Sequence, residues 1–340
     1  MSNTSGVLRI ITAFICVVLF LCYGFYRILL TPQSSKTGDI IYNNYFSPLP
    51  NKEEPLNTTT LSTPSTEPQA EAVQTVASGE VLGKVYNKTI TKSSANLSYK
   101  NIYIKNDTDL DINISKLLSA NLGYTIKKDG NAQVLIVHTH ATECFLNEDK
   151  DYYTSADNSR TTDNSSNVTA LGAIISEKLN SAGIVTLHDK TQHDYPSYNE
   201  SYSRAAKTIR SYLKKYPEIK VVIDIHRDSV QSGSNKTKLT ADIAGRRAAQ
   251  VMLVMGSQSG NVKNFPDWQE NLKLALRLQN NLESMYPTLA RPLSLMSRSY
   301  NEPLTTGSML IEIGTDANAF SEAVYSAELL ANSLIETLGS

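Results

Sequence analysis

VLIVHTHATE, Val134 to Glu143, reads as four residues of buried strand that turn abruptly polar. The stretch ends in two histidines and a glutamate, in a chain of 340 residues that has five histidines. A continuous apolar run marks a strand covered on both faces, where a half-exposed strand would alternate. Working outward, NIYIKN (101–106) alternates as a short strand and INISKLLSANLGY (112–124) reads as a short helix ending near Gly123. NVTALGAIISEKLNSAG (167–183) carries Val168, Leu171, Ile174, Ile175 and Leu179 on one helical face and stops at Gly183. IVTLH (184–188) is a second core strand, SYSRAAKTIRSYLKKYP (201–217) a helix stopped by Pro217, and KVVIDIH (220–226) a third strand. AAQVMLVMG (248–256) gives a fourth strand and DWQENLKLALRLQNNLESMYP (267–287) a long helix. SMLIEIG (308–314) is the final strand, and SEAVYSAELLANSLIETL (321–338) closes the chain as an amphipathic helix. Strands alternating with helices predict an α/β fold, a mostly parallel twisted sheet with helices on both faces.

The N-terminal part has a different composition. IITAFICVVLFLCYGFY (10–26) is uncharged between Arg9 and Arg27, and the apolar run extends to Leu30. That matches the ~20 residues a helix needs to cross a hydrocarbon core. No small-x-small cleavage site follows, so a retained anchor over 10–30 is expected, with residues 1–9 as a short cytoplasmic tail and the rest outside the cytoplasm. NKEEPLNTTTLSTPSTEPQAEAVQ (51–74) has no apolar period, and residues 31–97 are expected to be a disordered tether to a folded domain at 98–340. An apolar content of 41% suffices for a core, while a net charge of -1 argues against a general nucleic-acid binder. Cys16 and Cys22 fall in the anchor. Cys144 alone lies beyond it, so the outer part has no internal disulfide.

In open parallel sheets ligands bind beyond the carboxyl ends of the strands. His138 and His140 follow the first core strand, His188 the second and His226 the third, and Glu312 belongs to the last. A histidine and a carboxylate three residues apart, His140 and Glu143, face one point if the chain turns there. His226 then completes a His, His, carboxylate set with one position open for water, the donor set of catalytic zinc. Zinc so held lowers the pKa of its water to about 7. Glu312, a carboxylate inside an apolar strand, is the expected base that takes a proton and hands it to the leaving nitrogen. His138, two residues before His140, shares its strand face in an extended chain and is either a ligand or a donor behind the ligands. His188 and His193 cap a loop, contact substrate or take the place of Glu143, with Asp189 and Asp194 as imidazole partners. Arg227 binds a substrate carboxylate or pairs with Asp228. Gly-x-Ser-x-Gly, P-loop and Gly-x-Gly-x-x-Gly motifs are absent from the sequence.

QVLIVHTHATE, TLHDKTQHDYPSYNESY, VVIDIHRDS and LIEIGTDAN, in this order after an N-terminal anchor, closely resemble the stage II sporulation protein P family of endospore-forming bacteria, over about residues 98–340. The resemblance implies a zinc-amidase-like fold and a membrane-anchored peptidoglycan hydrolase. The implied activities are N-acetylmuramoyl-L-alanine amidase and endopeptidase, acting in the engulfing membrane during forespore engulfment. Stage II sporulation proteins D and M are the implied partners. His140 and His226 are the site residues it carries over. LIEIGTDAN is also similar to the V-E-x-G-F-x-S-N stretch of zinc amidases, which aligns Glu312 with their catalytic glutamate. Those amidases take a middle glutamate ligand from the following helix, where SSNVTALG offers none. Glu143 is the candidate by similarity to the HxxE pair of zinc carboxypeptidases. Two other readings remain open: a peptidase that cuts only cross-links, and a non-catalytic wall-binding recruiter of other hydrolases.

Overall fold

The computed structural model describes residues 79–339. The expected anchor at 10–30 and most of the expected tether lie outside the described residues. Among those described, no helix is long and apolar enough to cross a membrane.

The main sheet has eight strands. In spatial order they are β2 (Leu97–Tyr99), β3 (Ile102–Asn106), β12 (Leu293–Met296), β11 (Val251–Gly256), β13 (Ser308–Thr315), β7 (Val221–Asp228), β4 (Val134–Val137) and β6 (Thr186–His188). β13, β7, β4 and β6 run parallel to one another, as the alternating pattern predicts. β11 lies antiparallel to β13, and β12 and β3 follow the direction of β11. The sheet is therefore mixed, and the parallel half is the one that carries the histidines.

The period of two in these strands sorts their side chains cleanly. Ile136, Ile223, Ile225, Leu253, Met255, Ile311 and Ile313 face a large core covered by α2 (Val168–Ser181), α4 (Trp268–Met285) and α5 (Phe320–Gly339). A small α1 (Ile114–Ser119) adds Ile114 and Leu117 to the same core. Leu135, Val137 and Val222 face the opposite side, where α3 (Ser201–Lys215) contributes Ile209. Helices therefore cover both faces. The expected helix boundaries hold where chemistry sets them: Asn167 caps α2 by accepting from the Thr169 N–H, and Gly183, at φ 81°, ends it in a conformation that L side chains rarely adopt.

A second sheet has the order β10 (Arg246–Ala249), β9 (Asn235–Ile243), β1 (Val81–Lys88) and β5 (Tyr152–Thr154), with β8 (Gln231–Ser232) beside β9. Two expectations change here. Residues 81–88, placed in the tether by composition, form an interior strand paired with β9 and β5. The tether therefore cannot extend to residue 97. AAQVMLVMG is likewise divided at Gln250, with β10 in the small sheet and β11 in the main one.

Candidate metal centre

The site lies where β4, β7 and β13 end side by side. In register, Glu312 of β13 stands next to His226 of β7, and Leu310 next to Asp224. Asp224, His226 and Glu312 thus share one face, the one that α3 covers. β4 stops at Val137, and residues 139–142 turn, with the Glu143 N–H closing onto the His140 carbonyl at 3.1 Å. That turn brings the His140 ring to 4.9 Å from the His226 ring, at 82°. One donor atom each from His140, Glu143 and His226 lies within 4.8 Å of the others. All three residues are buried, at 7%, 6% and 2% exposure.

Glu143 is clamped from several sides. Its carboxylate lies 3.5 Å from His140 Nδ1 and 3.4 Å from His226 Nδ1, and it accepts from the Arg227 N–H at 3.1 Å. Burial alone would raise this carboxyl. The two imidazoles and the Arg227 charge instead hold it well below the usual carboxylate range. His226 shows the complementary effect: burial would lower it, but Asp224 and Glu143 on either side raise it well above an ordinary imidazole. Asp224 Oδ1 lies 3.0 Å from His226 Nε2, too poorly aligned for a hydrogen bond, while its carboxylate accepts from Thr139 N–H and Oγ1 at 2.8 and 2.6 Å. Burial lowers His140, against the pull of Glu143.

The donor chemistry fits a divalent cation. His140 Nε2 is buried without a hydrogen-bond partner among the described residues, and two imidazoles and a carboxylate converge on one point. Glu312 Oε2 is also buried and unpartnered. Burial pushes the Glu312 carboxyl up to about 8, against the pull of His226. A proton-accepting carboxyl therefore stands beside the cluster, and its residue is only partly covered.

The remaining expected residues lie elsewhere. His138 does not share a face with His140. It points into the large core, where its Nε2 is 2.8 Å from His188 Nε2 and its Nδ1 is 3.0 Å from the Ile225 carbonyl. The carbonyl can only accept, so His138 carries its proton on Nδ1 and His188 donates to His138 Nε2. His193 is pinned in the same way, with Nδ1–H on the His138 carbonyl and Nε2 accepting from Thr208. Neither His188 nor His193 displaces Glu143. Arg227 is 7% exposed and donates to the carbonyls of Cys144, Ser159 and Asp228, so it braces the loop behind Glu143 and is not open to substrate. Asp228 pairs with Arg291 at 2.7 Å. Asp194 holds Thr142 and Arg160 and no imidazole. Cys144 is buried, its thiol on the Asn158 carbonyl and pushed up by burial.

Several contacts were not read from sequence. Tyr198 stacks on His140 at 4.5 Å, and Tyr202 meets it edge-on at 5.5 Å. Arg160 Nη2 lies 3.6 Å from Glu143 Oε1. Asp224 is legible in the sequence as a neighbour of His226, because two residues before it on a strand is the same face. Arg160 comes from a loop without periodicity and leaves no such signal.

A family model described as Stage II sporulation protein P (SpoIIP) matches residues 40–335. Stage II sporulation protein P of Bacillus subtilis (strain 168) is 32% identical over 212 residues, 58% of this chain and 49% of its own length. The chain thus spans about half the length of that curated relative. Among solved structures, the N-acetylmuramyl-L-alanine amidase Ami1 from Mycobacterium abscessus aligns at 14% identity and a TM-score of 0.36, covering 62% of this chain and 97% of its own. The CwlD amidase from Clostridioides difficile, in complex with the GerS lipoprotein, aligns at 13% identity and a TM-score of 0.38, covering 61% and 98%. Superpositions this loose bear on neither fold nor chemistry. The family match spans most of the chain and includes all four motifs around the histidines and Glu312: the chain belongs to the stage II sporulation protein P family.

Proposed function

We propose that this chain is a zinc-dependent peptidoglycan hydrolase, an N-acetylmuramoyl-L-alanine amidase with endopeptidase activity, that remodels the wall during forespore engulfment. The observation that carries this reading is the convergence of His140, Glu143 and His226 with the buried Glu312 carboxyl beside them. Zinc held by His140, Glu143 and His226 would supply Lewis acidity toward a substrate carbonyl and bring the pKa of water to about 7. Glu312 Oε2 takes a proton from the attacking water and returns it to the leaving nitrogen. The amide C–N bond breaks and a carboxylic acid and an amine result. Its carboxyl, pushed up by burial, suits a group that must both accept and release a proton near neutrality. The Arg227 N–H and Thr139, through Asp224, hold Glu143 and His226 in place.

In this reading residues 10–30 anchor the chain in the engulfing membrane, with the catalytic part facing the wall. Stage II sporulation proteins D and M act with it. The test is metal analysis of the purified chain, paired with digestion of peptidoglycan with and without chelator. Mass spectra of the products separate glycans freed of stem peptides, the amidase outcome, from cut cross-links alone. Glu312→Gln should lower turnover by roughly 10²–10⁴-fold with metal content intact. Parent-level turnover in that variant would remove Glu312 as the base, and a chain that binds sacculi without solubilising them in zinc would end the hydrolase reading.

A further inference from the structure

Arg227, for which a substrate carboxylate was one of two expected partners, is committed to three backbone carbonyls. A different arginine stands at the mouth of the site. Arg160 donates through Nη1 to Asp194 Oδ2 at 2.6 Å and Thr142 Oγ1 at 3.1 Å. Its guanidinium carbon lies 4.8 Å from the centre of the Tyr198 ring, which also stacks on the His140 ring. Its side chain is 38% exposed. Asp194 is buried and, among the described residues, accepts from Thr142 and Arg160, so the guanidinium is fixed in orientation before any ligand arrives.

A guanidinium has five N–H donors, and Nη1 uses two here. Among the described residues no hydrogen bond from Nη2 or Nε is present, and Nη2 has only the Glu143 carboxylate at 3.6 Å, beyond bonding reach. The Nη2–Nε edge is the side of the fork that matches the two oxygens of a carboxylate. It lies beside a candidate metal ligand, so an anion bound there would sit one or two residues from an amide presented to the cluster, at roughly 3.3–3.6 Å per extended residue.

We propose that Arg160 is a specificity-determining residue that binds a carboxylate of the substrate's acidic peptide through its Nη2–Nε edge. This rests on the hydrolase reading for its setting, but the contact can be tested apart from turnover. The probes are two synthetic muramyl peptides that differ only at the second peptide residue, one with its carboxylate free and the other with it amidated. Binding to the full chain is measured by calorimetry and cleavage by product mass. The parent chain should bind and cleave the free acid at least about tenfold better than the amide, as loss of a charge-assisted bidentate contact implies. Arg160→Gln should bring that ratio toward one. Arg160→Lys, which keeps the charge and loses the fork, should fall between and serves if the glutamine variant fails to fold. A parent chain that treats both peptides alike, or binds neither, overturns the proposal. So does a glutamine variant that keeps the parent's ratio. Lack of cleavage together with a preserved binding preference would overturn the hydrolase reading and support the carboxylate contact.

Discussion

Replacing a helical glycine by alanine ordinarily stabilises a helix by about 1 kcal/mol. At Gly172, in the first turns of α2, the opposite sign is expected. A methyl there would stand 2.6 Å from His138 Nε2, 2.7 Å from its Cε1 and 2.7 Å from His188 Nε2. Neither ring can yield cheaply: the two Nε2 atoms share a 2.8 Å hydrogen bond, and His138 Nδ1 is tied to the Ile225 carbonyl. Overpacking costs about 1–3 kcal/mol, and loss of the imidazole pair adds about 0.5–1.5 kcal/mol. Set against the helix gain, Gly172→Ala should destabilise by about 0.5–3.5 kcal/mol net. Urea unfolding would show this as a lower midpoint at unchanged slope. Thermal unfolding would show it as a loss of about 1–14 °C for a domain of this size. In a His188→Ala background the methyl finds room on one side, and the same substitution should cost less. An unchanged or higher midpoint in the single variant would refute the reasoning, because helix propensity would then outweigh the packing against the two rings.

Burial pushes His138 down to about 3 and His188 to about 4. Both folded values lie below the unfolded value near 6.5, so the unfolded chain takes up protons first and stability falls as pH drops below about 6.5, levelling off only below about 3–4. Between pH 7 and pH 5 each imidazole should remove about 2 kcal/mol, and His188→Gln should flatten the profile; an unaltered profile would count against the buried neutral pair. His226 is held protonated by Asp224 and Glu143 without a cation, so uptake of zinc should expel about one proton and tighten as pH rises, measured by calorimetry in buffers of different ionisation heat. Proton-free uptake would exclude His226 as a ligand. Arg227→Ala should destabilise by about 3 kcal/mol or more through the carbonyls left unpaired, read by urea unfolding, whereas a change confined to substrate affinity would restore the substrate role.

The helical core face was legible because burial on one side leaves a period. Val168, Leu171, Ile175 and Leu179 meet the core as their spacing requires, and Gly183 and Pro217 end helices for backbone reasons that need no tertiary context. The triad was legible because a histidine and a glutamate three apart cannot avoid each other once the chain turns. The turn itself was not. Continued extension would have kept His138 and His140 on one face; the turn over 139–142, held by the Glu143 N–H on the His140 carbonyl and by Thr139 on Asp224, separates them. β1 was hidden for a different reason: of its eight residues only Val85 is buried, so VLGKVYNK carries no run and no alternation. Strand direction in the outer half of the sheet is set by which crossover packs, information no single segment holds.

β1 has a consequence for how the chain can be cut and pulled. It is the middle ribbon between β9 and β5. Trimming the protein to start at Ser98, where the polar composition invites a boundary, would bare two rows of N–H and C=O groups at once and create a template for chain-to-chain stacking. Insolubility of such a fragment would report the missing ribbon and not a defect in the part retained. A load arriving from the N-terminal side reaches the described residues at Glu80 and Val81, so the bonds to Ser155 and Thr154 feel it before those that join Val85–Lys88 to Lys236–Leu239.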